Sequence, residues 1–334
     1  TDVAHRSGRI QIMMKSNPQR PPILPSNFTA PSPLGAKALF VSYALSMTFV
    51  PGLISYLLVT RSGLDRNILS LLVMVLSIIS GFGFYVVGHI GHEGFHFTLS
   101  TNKLRSALIG TMFSASIIGF SGVGFYLVHS RHHRNTNAPE DPDFQLFSRF
   151  SNIWRRLLFL RIINNRYYMS LLFRLLFKSE LPPDLHTVFT RSELIQLGWA
   201  NVLAQLVWVG LYICAFIFDP RLFICTVVLP HLATAVISAA IVFAQHGDTG
   251  RSLSNNARTH AHPLVTLLMA GTNYHLEHHL YPRVPCWRLR QVHAWLQKSS
   301  WAIQNPLLVE HRFWKGFLYC RTRFSYGCLF SHKA

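Results

Sequence analysis

Charge is scarce in this chain. Of its 334 residues only 13% are Asp, Glu, Lys or Arg, about half the share typical of a soluble domain. Acidic residues are the scarcest, with 13 Asp and Glu against 31 Lys and Arg. Cysteine is thin as well: Cys214, Cys225, Cys286, Cys320 and Cys328 show no CxxC spacing, and two of them lie in apolar runs. That pattern argues against a disulfide framework or a zinc ribbon and suits a reducing compartment. The first residues lack the apolar core of a signal peptide, so no cleaved leader is expected in the given sequence. It begins at Thr1, and its true start is left open. No internal sequence repeat is visible.

What the chain has in abundance is apolar sequence, half of its residues, gathered in long runs rather than in amphipathic patches. The runs point to lipid as the solvent. They also reinterpret the net charge of +18. Such an excess first brings nucleic acid to mind, but beside long apolar segments it reads better as basic loops against an anionic membrane surface. No nucleic-acid partner is expected.

Residues 1–35 are polar, Pro-rich and basic, and read as a flexible tail. A bilayer crossing needs roughly 20 apolar residues as helix. Four runs meet that length, over about 36–60, 68–88, 194–218 and 222–244. Pro51 and Gly52 predict a kink in the first. The links Arg61–Asn67 and Asp219–Arg221 are short, which predicts two antiparallel hairpins. Both termini and the central loop then share one side. Arg61, Arg66 and Arg221 are the basic residues of the two turns, while the others belong to the tails and central loop, so those regions are expected to be cytoplasmic. The stretch 104–128 is long enough to cross but carries Gly110, Gly119, Gly122 and Gly124. A single crossing would part the histidines before it from those after it, so a re-entrant or interfacial segment is predicted. Trp154 to Lys178 mixes arginines with Leu, Phe and Tyr, the composition of an interfacial amphipathic helix. Residues 297–334 form a basic extension on the cytoplasmic side of the predicted all-α membrane domain, 36–296.

Eighteen histidines are present, and their placement is more telling than their number. Three clusters stand out: His92-Glu-Gly-Phe-His96, His129-Ser-Arg-His132-His133 and His275-Leu-Glu-His278-His279. Spacings of three and four stack imidazoles on one helix face. Neutral imidazole suits iron, zinc, copper or nickel. Eight histidines exceed the needs of one tetrahedral zinc and fit two metals with incomplete coordination.

These boxes, above all Asn273-Tyr-His-Leu-Glu-His-His-Leu-Tyr-Pro-Arg-Val-Pro285, together with Asp141-Pro-Asp143 after the second, resemble the membrane fatty-acid desaturases over roughly His89 to Leu296. The resemblance implies a cytoplasmic cap holding two iron ions, dioxygen as oxidant and removal of two hydrogens from an unactivated carbon chain. It also implies a further ligand ahead of the third box, where His246 stands, making nine. Some relatives hydroxylate or ketolate, and some act on carotenoids or amino-acid-derived metabolites. No HPGG-type haem motif is present, so electrons are expected from a separate ferredoxin or cytochrome b5 type of donor.

Glu93 and Glu277 are candidates to accept imidazole N–H bonds, with Asp141, Asp143 and Asn273 behind them. His89 is read as a neighbour of the metal ligands. His231, inside the fourth span, either lines a substrate path or packs at a kink. His260, His262 and His293 are expected in surface or capping roles. Two rivals stand: His92-Glu93-Gly-Phe-His96 is an HExxH sequence, the signature of a zinc protease with Glu as base, and a metal transporter would instead line a transmembrane path with its histidines.

Overall fold

The computed structural model describes residues 20–178 and 187–321; parts of the expected N-terminal tail and C-terminal extension, with Cys328, lie outside those residues. A short helix α1 (Ser26–Thr29) leads into α2 (Leu34–Arg61), which runs through Pro51, and α3 (Arg66–Phe95), capped by the Asp65 carboxylate. Next come α4 (Lys103–Ser114), α5 (Gly122–Asn135), α6 (Pro142–Phe147) and α7 (Ile153–Phe173). A capping box of Thr190 and Glu193 starts α8 (Arg191–Phe218). Then α9 (Pro220–Phe223) passes through a π-helical turn, Ile224–Val228, into α10 (Leu229–His246). Among the described residues, four helices are long and apolar enough to cross a membrane: α2, α3, α8 and the combined Pro220–His246. At 28 residues, α2 and α8 each measure about 42 Å, more than a hydrocarbon core requires.

Small residues set the packing. Gly83 of α3 leaves no room for a Cβ before the Thr48 backbone of α2, and Ser80 donates to the Thr48 carbonyl. On another face, a Cβ at Gly81 would sit 2.7 Å from that of Ala233 in α10. Thus α3 lies between α2 and α10. The second pair behaves differently from the first. Although their link is tight, α8 packs chiefly on α4, whereas α10 packs on α3 and α7. Leu203, Leu206, Ile213 and Ile217 of α8 remain exposed, an apolar outer face.

The stretch after the first box is two helices and a reversal. At 12 residues, α4 is about 18 Å long, too short to cross. The chain turns at residues 115–121, with Gly119 at φ +71°, and returns as α5. Irregular backbone among apolar helices must find protein partners, and here it does. Trp208 Nε1 donates to the Met112 carbonyl (2.9 Å), Tyr212 Oη to that of Ser116 (2.6 Å) and Gln205 Nε2 to that of Phe120 (2.6 Å). His231 Nδ1 bonds the Val227 carbonyl at 2.7 Å, so its Nε2 lone pair is free to accept the Ile118 N–H at 3.2 Å. Of the two roles open to His231, packing at the helix irregularity is the one seen.

Helix α7 buries Leu160, Leu171 and Leu172 and exposes Arg155 and Arg166, but it also exposes apolar side chains and buries an arginine. Trp154, Leu158 and Ile162 are exposed, while Arg156 is 2% exposed and donates from Nε to the Phe150 carbonyl at 2.6 Å. After α10 the chain forms β1 (Thr259–His260), α11 (Pro263–Met269), α12 (His275–Leu280), α13 (Cys286–Leu296) and β2 (Val309–Glu310). The two short strands pair in parallel, Thr259 opposite Val309. Residues 22–32, assigned to the tail by composition, are tied to this region: Tyr281 bonds the Pro22 carbonyl at 2.8 Å and Arg288 that of Ala30 at 2.5 Å.

Candidate metal centre

Four helices deliver the nine histidines to one place. The predicted second span continues two turns past Gly88, so α3 itself carries His92 and ends at His96. His129, His132 and His133 lie on α5, His246 ends α10, and His275, His278 and His279 form most of α12. The reversal between α4 and α5 is what returns the second box to the first.

The nitrogens converge in two groups. One ligand atom from each of His92, His96, His129, His133 and His278 lies within 4.8 Å of all the others, and His132, His246 and His279 form a second such group. His275 joins the second through Nε2, 2.8 Å from that of His246 and 3.2 Å from that of His279. In the first group the Nε2 atoms form a chain of contacts: His92 to His278 (3.0 Å), His278 to His133 (2.9 Å), His133 to His129 (2.9 Å), His129 to His96 (3.2 Å). An Nε2 carries either one proton or one lone pair, so these contacts cannot all be sound hydrogen bonds. Five lone pairs aimed at a common centre are instead a donor set for a cation.

Burial first, then the neighbouring imidazoles, hold His129, His133, His275, His278 and His279 well below their ordinary pKa. Burial likewise depresses His96, with help from His92 and Arg283. Neutral imidazole is the metal-binding form. His132 is the exception. Burial lowers it, but the charge of Asp141 and the bond to it prevail and raise it to about 9.

Outer partners fix which nitrogen faces inward. His132 Nδ1 donates to the Asp141 carboxylate at 2.9 Å and His246 Nδ1 to the Asn256 carbonyl at 3.2 Å. Thr136 gives its proton to the His132 carbonyl (2.9 Å) and so accepts from His279 Nδ1 at 3.3 Å. Asp141 also takes the Asn137 N–H at 2.8 Å. Asn137, at φ +61°, a backbone region Asn tolerates, bonds through Nδ2 to Thr249, Gly250 and Asn256. It thereby stitches the second box to the loop after His246.

The two glutamates of the boxes work elsewhere. Glu93 accepts from Thr98 Oγ1 at 2.6 Å and the Cys286 N–H at 3.4 Å, and His92 Nδ1 finds no hydrogen-bond partner. Glu277 takes the Thr259 hydroxyl and His293 Nδ1, the latter at 2.6 Å. Glu277 bonds no imidazole of the boxes, whereas Glu93 Oε1 lies 3.5 Å from His92 Nδ1 without making a hydrogen bond to it; a Glu93 held by Thr98 and Cys286 is poorly placed as a protease base. Asn273 holds the His260 carbonyl and Thr266. His262 caps α11, whereas His260 and His293 are buried rather than superficial. His89 donates from Nδ1 to the Tyr85 carbonyl at 3.1 Å, and its ring lies 5.2 Å from that of His92.

Thr136 and Asn137 belong to the tail of the second box that resembles the family, but sequence reasoning gave neither them nor Asn256 a role, because a residue that orients a ligand through Nδ1 has no spacing rule. It also missed Arg161, Asn164 and Thr234, which line a cavity against both histidine groups.

A family model described as fatty acid desaturase matches residues 69–304. A Δ5 fatty acid desaturase of Caenorhabditis elegans is 22% identical over 275 residues, covering 71% of this chain and 60% of the relative. A chloroplastic ω-6 fatty acid desaturase of Glycine max is 22% identical over 234 residues, covering 65% and 54%. The chain therefore spans little more than half the length of these relatives.

Proposed function

Because the chain belongs to the fatty acid desaturase family, we propose that it is a membrane-bound, dioxygen-dependent desaturase acting on a fatty acyl chain or related lipid. The two converging sets of imidazole nitrogens carry this reading. His92, His96, His129, His133 and His278 would hold one iron, and His132, His246, His275 and His279 the other. The irons, when bound, supply the oxygen activation that protein side chains lack.

The chain's own groups hold and shield. Asp141, Asn256 and Thr136 keep three imidazoles turned inward. The depressed basicity of the buried imidazoles leaves their lone pairs available. Apolar packing of α3, α5, α7 and α10 keeps bulk water from the reacting carbon. The reaction balances as two hydrogens from the substrate, two electrons from a separate donor and two protons from solvent, which together reduce one dioxygen to two waters and leave one carbon–carbon double bond. A ferredoxin or cytochrome b5 type of protein is the donor we propose.

In the bilayer, α2, α3, α8 and the Pro220–His246 helix cross as two hairpins, with the histidines and both ends of the chain in the cytoplasm. The paucity of basic residues in the two turns supports this arrangement.

Metal analysis of the purified protein tests the centre: two irons per chain are expected, and a single zinc in iron-replete protein would favour the protease rival. His278→Ala or His132→Ala should abolish oxygen-dependent formation of an unsaturated lipid while the protein still inserts. Full activity in both variants would sink the di-iron reading.

A further inference from the structure

The cavity against the histidines is small, and its mostly apolar lining is interrupted by several polar side chains. Its volume is about 110 Å³, below the roughly 150 Å³ that accommodates a benzene ring. His92, His129, His132, His246 and His275 line it together with Arg161, Asn164, Asp143 and Thr234, among apolar side chains such as Phe120, Phe125 and Ile241. On α7, Arg161 and Asn164 are three residues apart, which places them on one helix face.

Several polar atoms here lack a hydrogen-bond partner among the described residues, although Asp143 Oδ2 lies 3.8 Å from His132 Nδ1. The Arg161 guanidinium lies over the Phe120 ring, 5.1 Å from its centroid, and among the described residues no carboxylate is within ion-pair distance of it. Asn164 Oδ1, Asp143 Oδ1 and Thr234 Oγ1 are buried with no hydrogen bond. Asn164 is 2% exposed and Thr234 4%. Such groups are costly to leave unmet in a dry interior. The middle of an acyl chain would leave all of them unmet. A carboxylate would answer Arg161 but bring a second anion toward Asp143. A hydroxyl both accepts and donates: its oxygen takes an N–H from Arg161 while its proton goes to Asn164 Oδ1 or Asp143.

We propose that this cavity receives the hydroxyl-bearing end of its substrate, with Arg161 and Asn164 as the specificity-determining pair. The inference rests on the reading of the histidine centre as the place of reaction, and it narrows the substrate from acyl lipids in general to hydroxylated ones. A site built to hydrogen-bond a substrate hydroxyl discriminates strongly against the analogue without it.

The test uses the full chain, iron-loaded, in phosphatidylcholine nanodiscs, with dodecan-1-ol and dodecane as paired probes. Equilibrium binding, corrected with empty discs, should favour the alcohol by about tenfold or more. Arg161→Gln and Asn164→Leu should each erase most of that preference at unchanged iron content, with Arg161→Lys restoring part of it. Equal binding of the two probes by the wild-type protein overturns the proposal, whatever the variants do. So does a preference that neither substitution alters. Oxygen uptake in the same discs separates this inference from the one beneath it. Reductant-dependent uptake with both probes alike, without a binding preference, removes the hydroxyl proposal and leaves the oxygenase chemistry standing. An Arg161-dependent preference without any uptake does the reverse.

Discussion

Asp141 and His132 show how one carboxylate can orient an imidazole of the proposed metal centre. The Asp141 carboxylate is fully buried, and its two oxygens engage His132 Nδ1 and the Asn137 N–H. Replacing it with Asn removes the charge but keeps the volume. Loss of such an outer partner typically weakens metal affinity 10–100-fold, so Asp141→Asn should lower the iron content from the proposed two per chain toward one while the protein remains folded. The pair also gives the metal-free protein a pH dependence. His132 is raised from its ordinary 6.5 to about 9, so the stabilisation it brings is complete below pH 6.5 and is lost as pH rises through 9. Thermal unfolding of metal-free protein should show that decline in the wild type and a flatter profile in Asp141→Asn. Metal uptake should run the opposite way, strengthening toward pH 9 as the competing proton leaves.

At the scale of elements, the reversal between α4 and α5 decides whether the histidine boxes meet. Its backbone depends on side chains from α8 and α10, among them His231, which accepts the Ile118 N–H. His231→Leu would leave that N–H unmet, at a cost of about 1–3 kcal/mol. A lowered melting temperature together with partial loss of iron is the expected outcome, although His231 touches neither group of imidazoles. A second support is the contact of α3 with α4. A Cβ at Gly94 would lie 2.7 Å from Gly110 Cα and 2.8 Å from the Ser106 carbonyl. Backbone cannot yield as a flexible side chain does, so Gly94→Ala should push the two helices apart at a cost of about 1–3 kcal/mol. Iron content close to that of the wild type would show the contact to be slack.

For the whole molecule, the sidedness of the membrane is the property to measure. Single cysteines placed at Gly63, in the first turn, and at Ser299, just after α13, should label from opposite sides of intact cells or vesicles. Ser299 is expected on the cytoplasmic side. Labelling of both from the same side would contradict the proposed four crossings. Tyr56 near the end of α2 bonds Asp219 in the second link at 3.2 Å, so the two links lie together at one end of the molecule, away from the histidines.

The sequence alone determined the four long apolar helices, because length and hydropathy are local properties that lipid reads directly. It also determined the three boxes, since spacings of three and four put imidazoles on one helix face. Tertiary structure decided what these residues do together. The first box proved to be an extension of α3, because His89–Phe95 carries no proline and its two glycines pack closely on α4. The box glutamates proved to bond Thr98, Thr259 and His293, while Asp141, distant from the third box, took up an imidazole. Such choices depend on which N–H meets which oxygen after helices from opposite ends of the chain have packed, and no spacing rule encodes that. Two of the arginines of α7 carry the same lesson. Composition marked them as an interfacial charge, but packing on α10 and α5 turned Arg156 and Arg161 inward, and one of them faces the cavity.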